Sequence, residues 1–204
     1  MKLYTMPGAC SLAGHIVLEW AGVPYELEIV TREQIKQPAF LALNPVGSVP
    51  VLTEGDWSLT QNAAILEYIA EQAPKSGLLG DGTARSRAEV RRWVGFLNSD
   101  VHKTFGAIFG AQSLVASDDA QAELRANYAK KLVTLFGILD KQLEGSPYLA
   151  GSAPSIADAY LFVVLRWARA KEIAIGSMSN LSAFFDRMRA DEHVKAAMKA
   201  EGLE

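Results

Sequence analysis

Lys2–Leu3–Tyr4–Thr5–Met6–Pro7–Gly8–Ala9–Cys10–Ser11–Leu12 decides the reading of the chain. Leu3 to Met6 is a brief apolar-rich run, and Pro7–Gly8 breaks it. Leu12, Ile16 and Val17 then recur at helical spacing, with Ser11 just ahead of them as an N-cap candidate. The stretch therefore reads as strand, turn and helix start, with Cys10 at the mouth of the helix. Unpaired N–H groups and the positive end of the helix dipole favour a thiolate there, so Cys10 is expected to be more acidic than a free cysteine. It is the single cysteine of the chain. A lone cysteine is also often just a small buried apolar residue, and from this stretch both readings stand.

Outward from it, the helix runs from about Ser11 to Ala21, stopped by Gly22 and Pro24. Tyr25 to Val30 alternates and predicts a second strand, Thr31 to Gln37 a loop, and Pro38 to Leu43 a short helix ended by Asn44–Pro45. In Asn44–Pro45–Val46–Gly47–Ser48–Val49–Pro50–Val51–Leu52 a constrained turn leads into a third strand. Glu54–Gly55–Asp56 turns the chain into a fourth, Trp57–Thr60. Gln61 to Ala73 predicts a helix stopped by Pro74. Its first residues, Gln61 and Asn62, sit at a helix start that suits a carboxylate; Asn62 serves equally well as a simple cap.

The order is β-α-β-α-β-β-α. Lys75 to Gly82 is a glycine-rich linker. Helices follow near Arg85–Phe109, Asp119–Leu143, Ile156–Lys171, Leu181–Ala190 and Val194–Ala200. The expected architecture is α/β plus all-α, with domains over residues 1–77 and 84–204. In the first long helix Val90, Val94, Leu97, Val101, Phe105 and Ile108 form the core stripe. Gly95, Ser99, His102 and Gly106 form a small and polar stripe opposite, fit for a cleft or a partner. Ser155 and Asp158 have capping-box spacing, and Asp158 reads as structural. Trp167 could reach a cleft, although core packing is the plainer role.

Composition bounds the partners. The chain has 204 residues, half of them hydrophobic and 21% charged, with a net charge of −3; that is globular and argues against nucleic acid or anionic membrane. The Arg85, Arg87, Arg91 and Arg92 cluster reads as a solvated or dimer-facing surface. One cysteine excludes an intrachain disulfide and a multi-cysteine metal site, and a reducing compartment is the simplest home. No apolar h-region is seen at the start, and no apolar run is long enough to span a bilayer, so the expectation is cytoplasmic.

Tyr4, Pro7–Gly8–Ala9–Cys10–Ser11–Leu12, Asn44–Pro45–Val46–Gly47–Ser48–Val49–Pro50–Val51–Leu52, Leu59–Thr60–Gln61, Val101–His102–Lys103 and Ser155–Ile156–Ala157–Asp158–Ala159–Tyr160 together resemble a bacterial glutathione S-transferase of the beta class. The likeness runs over essentially the whole chain, and Cys10–Ser11 with His102–Lys103 points to the class. It implies a thioredoxin-like N-terminal domain, a helical C-terminal domain, a homodimer, glutathione as co-substrate with no further cofactor or metal, and a small hydrophobic electrophile. It implies that Cys10 and His102 lie at the glutathione sulfur, with Ser11 beside them. Val49, before a cis Pro50, would pair its backbone with the cysteinyl part. Gln61 and Asn62 would hold the γ-glutamyl end, Lys36 the glycyl carboxylate, and Ser99, Asp100 and Lys103 would reach glutathione in the other subunit.

Two departures stand out: Gln61 occupies a place where the family usually has Glu, and Ala13–Gly14 replaces a Ser–Pro pair. His15 is taken as structural. Phe105, Phe109 and Trp167 are the candidates for the electrophile site. Conjugation of the glutathione thiolate is the leading expectation. A glutathione-dependent thiol–disulfide oxidoreductase or peroxidase acting through Cys10 is the first alternative, and a non-catalytic binding protein the second. Cys10–Ser11–Leu12–Ala13 is a monothiol site, so any redox turnover needs a second, external thiol.

Overall fold

The computed structural model describes residues 1–203. Four strands form one sheet: β1 (Lys2–Thr5), β2 (Glu26–Ile29), β3 (Val51–Glu54) and β4 (Trp57–Thr60) lie in the order β2-β1-β3-β4. β1 pairs parallel with β2, bringing Leu3 opposite Leu27, and antiparallel with β3, bringing Leu3 opposite Leu52. β3 and β4 form the antiparallel hairpin expected from Glu54–Gly55–Asp56.

The period of two sends alternate residues of β1 to opposite faces. Leu3 and Thr5 face α1 (Ser11–Ala21) and α3 (Asn62–Gln72), where Leu12, Ile16, Leu52, Ile65 and Leu66 are fully buried. Tyr4 turns the other way, packs edge-on at 5.9 Å against Phe40 of α2 (Pro38–Leu43), and joins a smaller cluster with Val30, Ile35 and Val51. Gly22 ends α1 in the left-handed conformation (φ 64°), its N–H donating to Leu18 and Glu19 carbonyls, as the sequence predicts. The segment expected as a loop, Thr31–Gln37, holds one 3-10 turn at Gln34–Lys36.

The rest is helical: α4 (Ala84–Phe96), α5 (Lys103–Phe109), α6 (Ala111–Leu114), α7 (Asp118–Gln142), α8 (Ile156–Ala170), α9 (Ser179–Ala190) and α10 (Glu192–Ala200). α8 is the central element, with every residue from Ile156 to Leu165 buried. Asp158, within its first turn, accepts from Ser155 N–H (2.8 Å), Ser155 Oγ–H (2.7 Å) and Leu149 N–H (2.9 Å). Burial nonetheless pushes its carboxyl up to about 6. Both α8 and α10 pack on α1, so the helical part leans directly on the helix that carries Cys10.

One expectation changes. The single helix predicted over Arg85–Phe109 is α4 and α5 joined by a π turn at Leu97–His102. Its looser winding leaves carbonyls to other donors. Hydroxyls beside it take two of them: Ser99 Oγ donates to Gly95 O at 2.7 Å and Thr104 Oγ1 to Asp100 O at 2.6 Å. The apolar stripe survives, since Val90, Val94, Leu97, Val101, Phe105 and Ile108 are all buried.

Candidate active site

The loop between β1 and α1 is held from three sides. Ala9 N–H donates to Met6 O at 2.9 Å, closing the turn. Gly8 takes a positive φ of 72°, which a side chain would strain. Its N–H donates to Glu201 Oε2 (3.1 Å), just past α10, and its carbonyl accepts from Trp167 Nε1–H (2.8 Å) on α8. The other Glu201 oxygen lies 3.0 Å from Thr5 Oγ1 and 3.1 Å from His15 Nδ1. A buried carboxylate from the far end of the chain thus ties together the last residue of β1, the loop and the middle of α1.

Ser11 is not the cap of α1. Cys10 occupies the N-cap position and makes no capping side-chain bond, while Ser11 is the first helical residue. The Ser11 hydroxyl is buried against Thr5 Oγ1 (2.8 Å) and accepts from Met6 N–H (3.3 Å), so it braces the loop.

Cys10 departs from expectation as well. Burial pushes its thiol up to about 12, against the opposing pull of its own N–H and that of Ser11. Cys10 lines a cavity but is only partly exposed, and desolvation of a thiolate there outweighs the helix start. As a thiol it lies 3.6 Å from Val49 O and donates to it. The Val49–Pro50 bond is cis.

His102 ends the π turn and lines one cavity with Cys10, about 410 Å³ in volume, together with Met6, Pro7, Gly8, Ala9, Arg32, Phe109, Trp167 and Lys171. Tyr160 OH donates to Asn98 Oδ1 (3.2 Å), so its oxygen is free to accept from His102 Nδ1–H at 2.6 Å. That order of donors leaves Nε2 as the unprotonated nitrogen. Burial lowers the His102 pKa below its ordinary 6.5, so the ring is neutral at pH 7. Burial raises that of Tyr160, with the Cys10 sulfur adding to the rise; the hydroxyl stays protonated.

The other sequence candidates fall into three groups. Outside that cavity, Lys36 Nζ reaches Gly47 O at 3.4 Å, two residues before Val49. Gln61 adopts a positive φ of 73°, a strained conformation for a residue with a side chain. Asn62 is only 5% exposed, yet neither amide atom has a hydrogen-bond partner, so it caps nothing. Phe109 and Trp167 wall the cavity with ring centroids 5.4 Å apart. Phe105 is fully buried behind them, stacked on Phe109, and supports the wall without reaching the cavity. Ser99, Asp100 and Lys103 open instead onto a separate outward groove with Tyr128 and Lys131. Tyr160, Asn98, Glu201, Arg32 and Lys171 were not singled out from the sequence. Tyr160 reads there as one more core residue, and Glu201 gives no local signal.

Two family descriptions match the chain: "Glutathione S-transferase, N-terminal domain" over residues 1–71 and "Glutathione S-transferase, C-terminal domain" over residues 103–192. The chain belongs to the glutathione S-transferase family. Among its relatives is the glutathione S-transferase GST-4.5 of Xanthomonas campestris, 52% identical over 203 residues and covering 100% of both chains. A solved glutathione S-transferase from Xylella fastidiosa superposes with a TM-score of 0.97 at 48% identity, covering 100% of this chain and 99% of that one. A beta class glutathione S-transferase from Sphingomonas chungbukensis superposes at 0.88 with 39% identity and complete coverage of both. A sphingomonad member of the family solved in complex with glutathione also gives 0.88 and 39%, again over the whole of both chains. The thioredoxin-like sheet followed by helices is therefore the fold of this glutathione S-transferase, of the kind found in the beta class. Among the described residues no helix is long and apolar enough to cross a membrane, and no cluster of His, Cys, Asp and Glu is arranged to hold a metal ion.

Proposed function

We propose that the chain binds glutathione in the cleft beside Cys10 and transfers its thiolate to the electrophilic carbon of a small hydrophobic compound, as a homodimer. One observation carries this reading. A single cavity joins the Cys10 sulfur to a neutral His102 whose Nδ1 is already engaged, leaving Nε2 to accept a proton. The glutathione thiol gives its proton to Nε2. The sulfur then attacks carbon, and the leaving group departs with the bonding pair. Cys10, kept as a thiol by burial, turns its S–H from Val49 O to the incoming thiolate as a weak hydrogen-bond donor. The nucleophile is the bound tripeptide, not Cys10.

The remaining roles follow from position. The Val49 backbone, beside Cys10, pairs with the cysteinyl unit. Gln61 and the unpartnered Asn62 amide, at the start of α3, take the γ-glutamyl end, and Lys36 takes the glycyl carboxylate. Ser99, Asp100 and Lys103, on their own outward groove, reach across to glutathione in the second subunit. A buried amide without partners is costly in an empty site and is offset when a ligand supplies them, which supports the assignment of Asn62.

The test is retention on a glutathione resin followed by conjugation of chlorodinitrobenzene by the parent chain and by Cys10→Ala. Conjugation that persists in the variant supports transfer by bound glutathione. Complete loss in the variant, with glutathione binding intact, would instead assign the chemistry to a Cys10 mixed disulfide.

A further inference from the structure

The cavity that holds Cys10 and His102 has an uneven charge. Two cations, Arg32 and Lys171, line it together with apolar and aromatic groups, and no carboxylate does. This is notable in a chain of net charge −3. Among the described residues neither cation is in an ion pair within 4.0 Å. They come from different parts of the fold: Arg32 from the loop after β2, and Lys171 from the end of α8. Lys171 Nζ stands 5.8 Å from the centroid of Phe109, over the ring that forms the cavity wall with Trp167. Phe109 is itself 40% exposed, an aromatic face open to a ligand.

The geometry points to an electrophile with two parts: a flat apolar body that lies on Phe109 and Trp167, and an anionic group, a carboxylate or sulfonate, that meets Arg32 and Lys171 at the rim. This inference rests on the conjugation reading and narrows its substrate class. An aromatic ring provides the stacking surface, and a cation over such a wall attracts an anion on the ring it holds. Both side chains are exposed, so solvent screens their pull and the preference is modest. In the reaction, the glutathione sulfur forms the S–C bond and chloride leaves with the C–Cl electron pair. The thiol proton passes through His102 Nε2 to water, and the anionic group is unchanged.

Glutathione carries carboxylates of its own, and one of them could claim the same cations. The experiment separates the two sources. Chlorodinitrobenzoate and its methyl ester share a ring and a leaving group and differ in charge. Their kcat/KM values are measured at saturating glutathione, each divided by its uncatalysed rate with glutathione, and expressed as an acid-to-ester ratio. The ratio is expected to exceed one, to fall by about fivefold in Lys171→Gln and again in Arg32→Gln, and to decline with added salt. A ratio equal in the parent and both variants overturns the inference. So does a rise in the KM for glutathione in the variants with the ester as electrophile, since the cations would then serve the tripeptide.

If neither probe is converted by the parent chain, the conjugation reading fails by itself. Calorimetric binding of unreactive dinitrobenzoate against its methyl ester then decides the anion site: preference for the acid, lost in Lys171→Gln, upholds it, and equal binding removes it.

Discussion

Replacing Glu201 by Gln tests the tie between the chain's far end and the Cys10 loop. The side chain is 3% exposed, and its two oxygens serve Thr5, His15 and Gly8 at 3.0, 3.1 and 3.1 Å. Glutamine keeps the shape but has one acceptor. Its NH2 group must face either Gly8 N–H, donor against donor, or the Thr5–His15 side. Each bond to a charged group contributes about 1.5–3 kcal/mol, and breaking a buried charged network costs about 3–5 kcal/mol. With an m-value near the upper end for small proteins, the urea midpoint should fall by more than about 1 M. Parent and variant are compared at one protein concentration, because assembly adds to apparent stability. Hydrogen exchange locates the effect: amides of Met6 and of Gly8 to Cys10 should lose protection before those of α7. A midpoint shift under about 0.3 M, or a loss of stability with the Gly8 amide still protected, would refute the bracing role.

Two further predictions concern the site's protons. Since burial holds the Cys10 thiol near 12, its alkylation by iodoacetamide should rise about tenfold per pH unit from pH 6 to 9.5 without levelling; a plateau below pH 9 would mean the helix start wins over desolvation. His102 has a lowered pKa, so neutral imidazole persists below the ordinary 6.5, and the acid limb of kcat/KM should lie under that value. In Tyr160→Phe the imidazolium loses the acceptor at Nδ1, so the limb should move to still lower pH and kcat should fall about tenfold with little change in the KM for glutathione. Arg32 and Lys171 share the cavity with the ring, and Cys10 and Tyr160 are its other titratable neighbours. An unmoved limb would reduce Tyr160 to packing.

Sequence alone carried the order of elements because local signals agree with the global fold: Pro7–Gly8, Gly22, Asn44–Pro45 and Pro74 break the chain where its elements end. It pointed to Cys10 and His102 through position, at a helix mouth and on a small-residue stripe, and the fold brings both to one cavity. It misjudged the Cys10 pKa because helix-dipole reasoning contains no measure of how deeply the sulfur is packed. Ser11 was misplaced by one residue because a serine before an apolar repeat looks the same whether it caps the helix or braces a loop. Glu201 lies 196 residues from Thr5, and no pattern of local spacing connects them. Arg32 and Lys171 carry no local signal, and only the fold brings them to one rim. Phe105 has the same helical phase as its core neighbours, and its burial follows from that phase.

The π turn at Leu97–His102 works as a gearbox. Upstream and downstream, residues follow ordinary helical pitch; across it, the winding slips, so the stripe before and the stripe after answer to different clocks. Removing a single residue there would leave both flanking helices intact and well packed by composition, yet swing the imidazole about a quarter-turn around the axis, away from the sulfur. Insertions and deletions in this short span are therefore silent to any reading of hydrophobicity and decisive for chemistry.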